Sequence, residues 1–212
     1  CNLRSLQLQL PAAQELSLGD SLVHSVMQDL PGLQSLSVRG FRTSGLQTLL
    51  TSLTSLTRLA ITSCQMVLQE ICPRLPLLAE LDLTGSTHPA LTALPHCPSL
   101  RVLRLNDCYT VHQTSISALL QSNSQLLELH LERCPDLVQL RAESPCLQLL
   151  VLTGCRHLSS LTLICPALTA LKLGPEAPGG ALVGPSLTCA SLTSVTLHSE
   201  AITSIAWAQL PR

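Results

Sequence analysis

The chain has 212 residues, a formal net charge of −1, and a composition that is 46% hydrophobic yet only 1% aromatic. One Trp, one Tyr and one Phe leave the interior to be packed by Leu, Val, Ile, Ala and Cys. The scattered, nearly balanced charge offers no basic footprint for nucleic acid or an acidic membrane surface, and no apolar run reaches the roughly eighteen residues of a spanning helix.

A frame of the form L-x-x-L-x-L recurs along the sequence, seen most fully in LLELHLERC from Leu126 to Cys134. Its first apolar position falls at Leu3, Ala13, Leu33, Leu56, Leu78, Leu100, Leu126, Leu147, Leu168 and Leu192. Most steps are about 20 to 26 residues, the pitch of a leucine-rich repeat. The last two leucines of each frame lie two apart, on one face of a short strand, and the first turns inward from the preceding bend. A single such coil cannot cover its own apolar edge, so coils are stable only when stacked. We therefore read residues 1–212 as one solenoid of α/β class, whose first residue, Cys1, opens mid-pattern as expected of part of a longer chain.

Between Leu33 and Leu126 each coil has room for a helix. Residues 43–53, 66–72 and 114–122 place apolar side chains at i, i+3 and i+4 behind a Ser or Thr cap, and are expected as short helices or helical turns on the convex side. From Leu126 the interval halves: Leu126, Leu137, Leu147, Leu158 and Leu168 begin the frame every ten or so residues. That is too short for strand, helix and return. The segments 137–143 and 158–164 are thus expected as strands opposite 126–132, 147–153 and 168–174, so that the stack is strand-rich on both sides over 126–173. Leu3 with Ala13, and Leu192 with Ile202, repeat the short interval at the ends. Residues 174–186, with three Pro and four Gly, read as an exposed loop insertion because the frame resumes at Leu192.

The ten cysteines follow the repeat. Cys64, Cys108, Cys134 and Cys155 close an L-x-x-L-x-[LI]-x-x-C frame, and Ser86 takes that place in its own coil. A thiol there fills a small inward site and donates a weak hydrogen bond to backbone. A second set, Cys72-Pro73, Cys97-Pro98, Cys134-Pro135 and Cys165-Pro166, mostly precedes the next strand, where Pro favours an extended or bent entry. Regular inward packing should hold the thiols side by side rather than facing one another. There is no C-x-x-C and no His paired with Cys at zinc spacing, so neither metal nor cofactor is expected. Free thiols point to a reducing cytoplasm or nucleus. No catalytic fingerprint occurs, and the chain is read as a non-enzyme.

CPDLVQL, CLQLLVLTGCRHLSSLTL and CPALTALKL resemble the cysteine-containing repeats of F-box/LRR proteins, above all the long plant and algal members, most closely over 97–173. The resemblance implies a right-handed solenoid that receives a protein substrate on its concave face. It also implies that Skp1 and cullin of an SCF-type ubiquitin ligase are held only through an F-box, which would lie outside this segment. Substrate contacts in that family fall at variable positions, so the resemblance transfers no binding residues.

Alternation along each strand nominates them instead, because residues between and just after the leucines point outward. On that ground the candidate partner-binding residues are Arg58, Glu80, Asp82, Arg104, Asn106, Asp107, Glu128, His130, Glu132, Leu149, Val151 and Lys172. Glu80 and Asp82 should face Arg58 on one side and Arg104 on the other, and Arg104 should also face Glu128 and His130. Leu149 and Val151 should add an apolar patch. Lys172 is the single Lys of the chain.

Overall fold

The structure is a computed structural model that describes residues 3–9, 30, 32–39, 53–63, 75–86, 97–174, 182 and 185–197. In chain order it contains β1 (Ser5–Gln9), β2 (Ser35–Arg39), β3 (Arg58–Thr62), β4 (Glu80–Asp82), β5 (Val102–Arg104), α1 (Gln113–Ser122) and β6 (Glu128–His130). There follow β7 (Gln139–Glu143), β8 (Leu149–Thr153), β9 (Ser160–Ile164), β10 (Ala170–Gly174), β11 (Ser186–Thr188) and β12 (Ser194–Leu197). Among the described residues the strands form two parallel sheets: a long front sheet β1-β2-β3-β4-β5-β6-β8-β10-β12 and a short rear sheet β7-β9-β11. It is a leucine-rich-repeat solenoid.

Each front strand opens two residues after the first leucine of its frame, as the spacing predicts. A turn makes this possible. The amide of that leucine bonds the carbonyl three residues earlier, in Leu33 to Leu30, Leu56 to Leu53, Leu78 to Leu75, Leu100 to Cys97, Leu126 to Asn123 and Leu168 to Cys165. The C-P-x-L motifs at Cys97, Cys134 and Cys165 are thus β-turns with Pro at the second position, where its fixed φ is already suitable. Just past the turn, one carbonyl accepts two successive amides of the next coil, as Arg101 does from Leu127 and Glu128. The strand is locked in register before it begins.

The inward leucines stack in files. Leu36, Leu59, Leu81, Leu103, Leu129, Leu150 and Leu171 are partners across successive strands, and all are buried in one continuous core. The rear strands bury Leu140, Ala142, Leu161, Leu163 and Leu187 into that same core.

Coil length decides what backs the front sheet. The step from Asn106 to Glu132 is 26 residues and accommodates α1, close to the helix expected over 114–122. Its N-cap is His112, which makes no side-chain capping bond, so the expected Ser or Thr cap is not used. The steps from Glu132 to Thr153 and from Gln148 to Thr169 are 21 residues, and there β7 and β9 replace the helix as expected. The next step, Thr169 to Thr193, is 24 and carries β11. Of the loop expected over 174–186, Gly174 closes β10, Leu182 is buried and Ser186 opens β11; residues 175–181, 183 and 184 lie outside the described residues. The helices expected at 43–53 and 66–72, apart from Leu53, and the frames at Ala13 and Ile202 lie outside the described residues.

A helix and a strand meet on the rear side at Gln113. Its side-chain amide donates to the Arg141 carbonyl at 3.0 Å and accepts the Arg141 amide at 2.6 Å. The primary amide does for β7 what a neighbouring strand would do, and so satisfies an edge that otherwise invites pairing.

Candidate protein-docking face

The front strands carry their outward side chains in two in-register rows. The first runs Ser35, Arg58, Glu80, Val102, Glu128, Leu149, Ala170 and Ser194, and the second runs Ser37, Ala60, Asp82, Arg104, His130, Val151, Lys172 and Thr196. Parallel pairing at about 4.8 Å per strand sets like positions side by side. Mixed chemistry is thereby ordered on one surface.

The charges at the start of these rows interact much as expected. Arg58 Nε donates to Glu80 Oε1 at 2.9 Å, and Arg104 lies 4.0 Å from the other oxygen of Glu80. Glu80 is therefore shared between cations on both flanking strands. Asp82 behaves differently: its Oδ1 accepts both the amide and the hydroxyl of Thr84, at 2.9 and 2.6 Å. Asp82 faces Arg104 across the sheet as expected, but the two form no ion pair, because a turn donor two residues away is nearer than a side chain on the next strand. Glu128 is likewise taken by His130 at 3.4 Å within its own strand, and among the described residues Arg104 forms no ion pair with it.

Val151 corrects a second expectation. It was expected beside Leu149 as exposed apolar surface, yet it is only 4% exposed. It still projects outward, since it stands outside the core cluster that contains Leu150 and Leu152. In register it lies between His130 and Lys172. Leu149 and Ala170 are half-buried, and Lys172 is exposed.

At the strand exits the chain turns through a column of left-handed residues: Ser63, Gly85, Asp107, Arg133 and Gly154, with φ between 53° and 72°. The amide of each bonds a carbonyl at the end of the next front strand or just past it, as Asp107 does to Glu132 at 2.8 Å and Arg133 to Thr153 at 2.7 Å. This column brings Asp107 and Arg133 together in a bidentate pair, 2.6 and 2.7 Å. The Arg133 guanidinium holds the Asp107 carboxyl below its usual value of 3.8. Asn106 accepts the Glu132 amide at 3.0 Å, and Glu132 accepts the Thr153 hydroxyl at 3.2 Å. Asn106, Asp107 and Glu132, nominated for partner binding by alternation, thus each also hold adjacent coils together. Arg133 is the residue whose part in this the sequence did not reveal.

Behind that column lies one of thiols and a hydroxyl. Ser86 Oγ, Cys108 Sγ, Cys134 Sγ and Cys155 Sγ donate to the carbonyls of Ile61, Leu83, Leu105 and Leu131, each in the preceding coil, at 3.2, 3.4, 3.1 and 2.9 Å. The inward role expected of these cysteines is met. Burial pushes the Cys108 and Cys165 thiols up to about 11, and the hydrogen bond with Cys155, followed by burial, pushes Cys134 up as well. Cys108, Cys134 and Cys165 thus remain protonated donors, poor as nucleophiles or metal ligands, while the hydrogen bond with Cys134 lowers Cys155. One cysteine departs from the expectation of free thiols held side by side: Cys97 is disulfide-bonded. Cys108, Cys134, Cys146, Cys155, Cys165 and Cys189 are free.

No protein-family model matches the chain, and no curated protein does. Among solved structures it is similar to internalin C2 from Listeria monocytogenes, with 20% identity over 81% of this chain and 83% of that one, at a TM-score of 0.48. It is also similar to another internalin of that organism, inlF, with 14% identity over 92% of this chain and 62% of that one, at a TM-score of 0.44. No residue role is carried over from either.

Proposed function

We propose that the chain is a non-enzymatic scaffold that docks a protein partner on the outward face of its front sheet. The observation that carries this is the charged run Arg58, Glu80, Arg104 over three successive strands, whose side chains are 66%, 34% and 33% exposed, followed further along the same sheet by the half-buried aliphatic Leu149 and Ala170. A surface of fixed charges adjoining apolar area is what a selective interface requires: the apolar part excludes water, and the charges set register and reject mismatched partners.

The finer reading is a substrate receptor of an SCF-type ubiquitin ligase in the cytoplasm or nucleus, with Skp1 and cullin reached through an F-box outside this segment. The C-P-x-L and C-x-x-L repeats and the six free cysteines among the described residues support it. A second reading, a ligase-independent or cell-surface adhesive scaffold, is favoured by the disulfide at Cys97, since such bonds persist in oxidising compartments.

The test is affinity purification of the full-length protein under proteasome inhibition, wild type against Glu80→Arg with Arg104→Glu. Asp82 is left intact because it holds Thr84. Loss of a specific partner by the double variant, with a native-like melting curve, is the expected result; undiminished capture rejects this face. Recovery of Skp1 with both forms supports the ligase reading, and its absence from both favours the second.

A further inference from the structure

We infer that the partner is gripped over β8, β10 and β12 by a polypeptide segment both acidic and apolar, its carboxylate on the Lys172 ammonium and its apolar side chains over Leu149 and Ala170. This rests on the docking reading and narrows it to one part of the face and one chemistry of partner.

Most charged groups at the start of the front face already have partners within it. Arg58 and Arg104 share Glu80, Asp82 is bound by Thr84, Glu128 by His130 and Glu132 by Thr153. A partner that meets these groups exchanges one half-exposed pair for another, and such exchanges return little. The region from β8 onward is different. Lys172 has Val151 and Thr196 as its cross-strand partners, while Leu149 and Ser194 flank Ala170 in the next row. None of these is a carboxylate. Among the described residues no ion pair includes Lys172, and its side chain is exposed.

Lys172 also stands beside a floor that water leaves readily. Val151 is sealed, and Leu149 and Ala170 are half-buried. An apolar side chain laid over that floor dries the ground next to the ammonium, and a carboxylate delivered from the same segment meets a lowered local dielectric, where the attraction is stronger than in water. A basic partner meets repulsion at Lys172, and a purely apolar one leaves the ammonium desolvated and unpaired. Acid and hydrophobe together are the chemistry that fits. Arg104 lies three strand steps away, roughly 14 Å at about 4.8 Å per step, so the two cations can be tested separately.

Lys172 supplies the only ε-amine of the chain, so amine-selective acetylation neutralises this one side chain. The experiment selects a random dodecapeptide display library on the immobilised full chain. Synthetic versions of the enriched peptides are then measured by fluorescence anisotropy against wild type, Lys172→Glu, Lys172→Arg, the acetylated chain, Arg104→Glu and the rear-face variant Gln139→Lys. The expected result is enrichment of sequences that combine Asp or Glu with Leu, Ile or Phe. Their affinity should fall at least tenfold on Lys172→Glu and on acetylation, return on Lys172→Arg, and change less than twofold on the rear-face variant Gln139→Lys. Enriched peptides without acid, or binding that ignores Lys172 but is lost on Arg104→Glu, overturn this inference and leave the docking face standing. Absence of enrichment, or binding that neither change disturbs, overturns both.

Discussion

The coil that ends at β6 is backed by α1, whereas the coils that begin at β6, β8 and β10 are backed by strands, and yet the front sheet runs through all four without a break in register. The front is built by the leucine frame, which is constant. The rear is built by whatever remains of the coil, which is not: 26 residues leave room for a helix, and 21 leave room only for a second strand. Architecture can therefore vary behind the front sheet without disturbing the spacing of the groups on its outward face.

The largest expected effects test whether the two sides share one core. Leu129→Ala and Leu150→Ala remove fully buried side chains from the front, and Leu161→Ala removes one from the rear. Each should cost about 2–5 kcal/mol, measured by denaturant unfolding. A silent Leu161→Ala alongside costly front changes would show the rear sheet to be a detachable layer.

A smaller effect is expected along the column of strand exits. At Gly154 φ is +72° and an added Cβ would lie 2.7 Å from Arg133 Cγ, whereas at Gly85, with φ +71°, the nearest atom is Ser63 Oγ at 3.2 Å. Gly154→Ala should cost about 1–2 kcal/mol through the left-handed backbone, plus displacement of Arg133 from Asp107. Gly85→Ala should show the backbone part alone. Equal melting shifts for the two would mean that the Arg133 stem simply moves aside.

The junction between the two rear architectures should respond to Gln113→Ala by about 1 kcal/mol. Hydrogen exchange at the Arg141 amide should quicken, because its acceptor is gone, while the front-strand amide of Leu129 stays protected.

The smallest effect is a pH dependence. Asp107 titrates lower in the folded protein than its usual 3.8, so its pairing with Arg133 stabilises the fold above about pH 4 and loses that contribution as the pH falls through the depressed folded value. Both side chains are well exposed, so the contribution is below about 1 kcal/mol. Asp107→Asn should flatten stability between pH 5 and 2 by that amount; an unchanged slope would assign the acid sensitivity to another carboxylate.

Much of this was legible in the residues. A period of two within L-x-x-L-x-L fixes which side chains point inward, so the front strands and the neighbours Arg58, Glu80 and Arg104 could be placed without coordinates. The halved interval placed β7 and β9, and the closing Cys of each frame revealed the thiol column. What escaped depends on groups far apart in sequence or on local competition. The burial of Val151 depends on its surroundings across the sheet, where its register partners are His130 and Lys172. The bond from Asp82 to Thr84 wins because it is local, which alternation does not register. Gln113 satisfies β7 from 28 residues away, and no periodic pattern marks a single amide for that role. The rear strand β11 was hidden by the Pro- and Gly-rich residues before it.

The most direct test of the docking face is to measure the affinity of the partner recovered by the full-length protein for a front variant and a rear variant in parallel. The front variant is Glu80→Arg with Arg104→Glu; the rear one is Gln139→Lys with Ser160→Glu, both on outward positions of β7 and β9. A loss of at least tenfold for the front pair, with the rear pair within twofold of wild type, is the predicted result. Equal losses, or a loss confined to the rear pair, would contradict it.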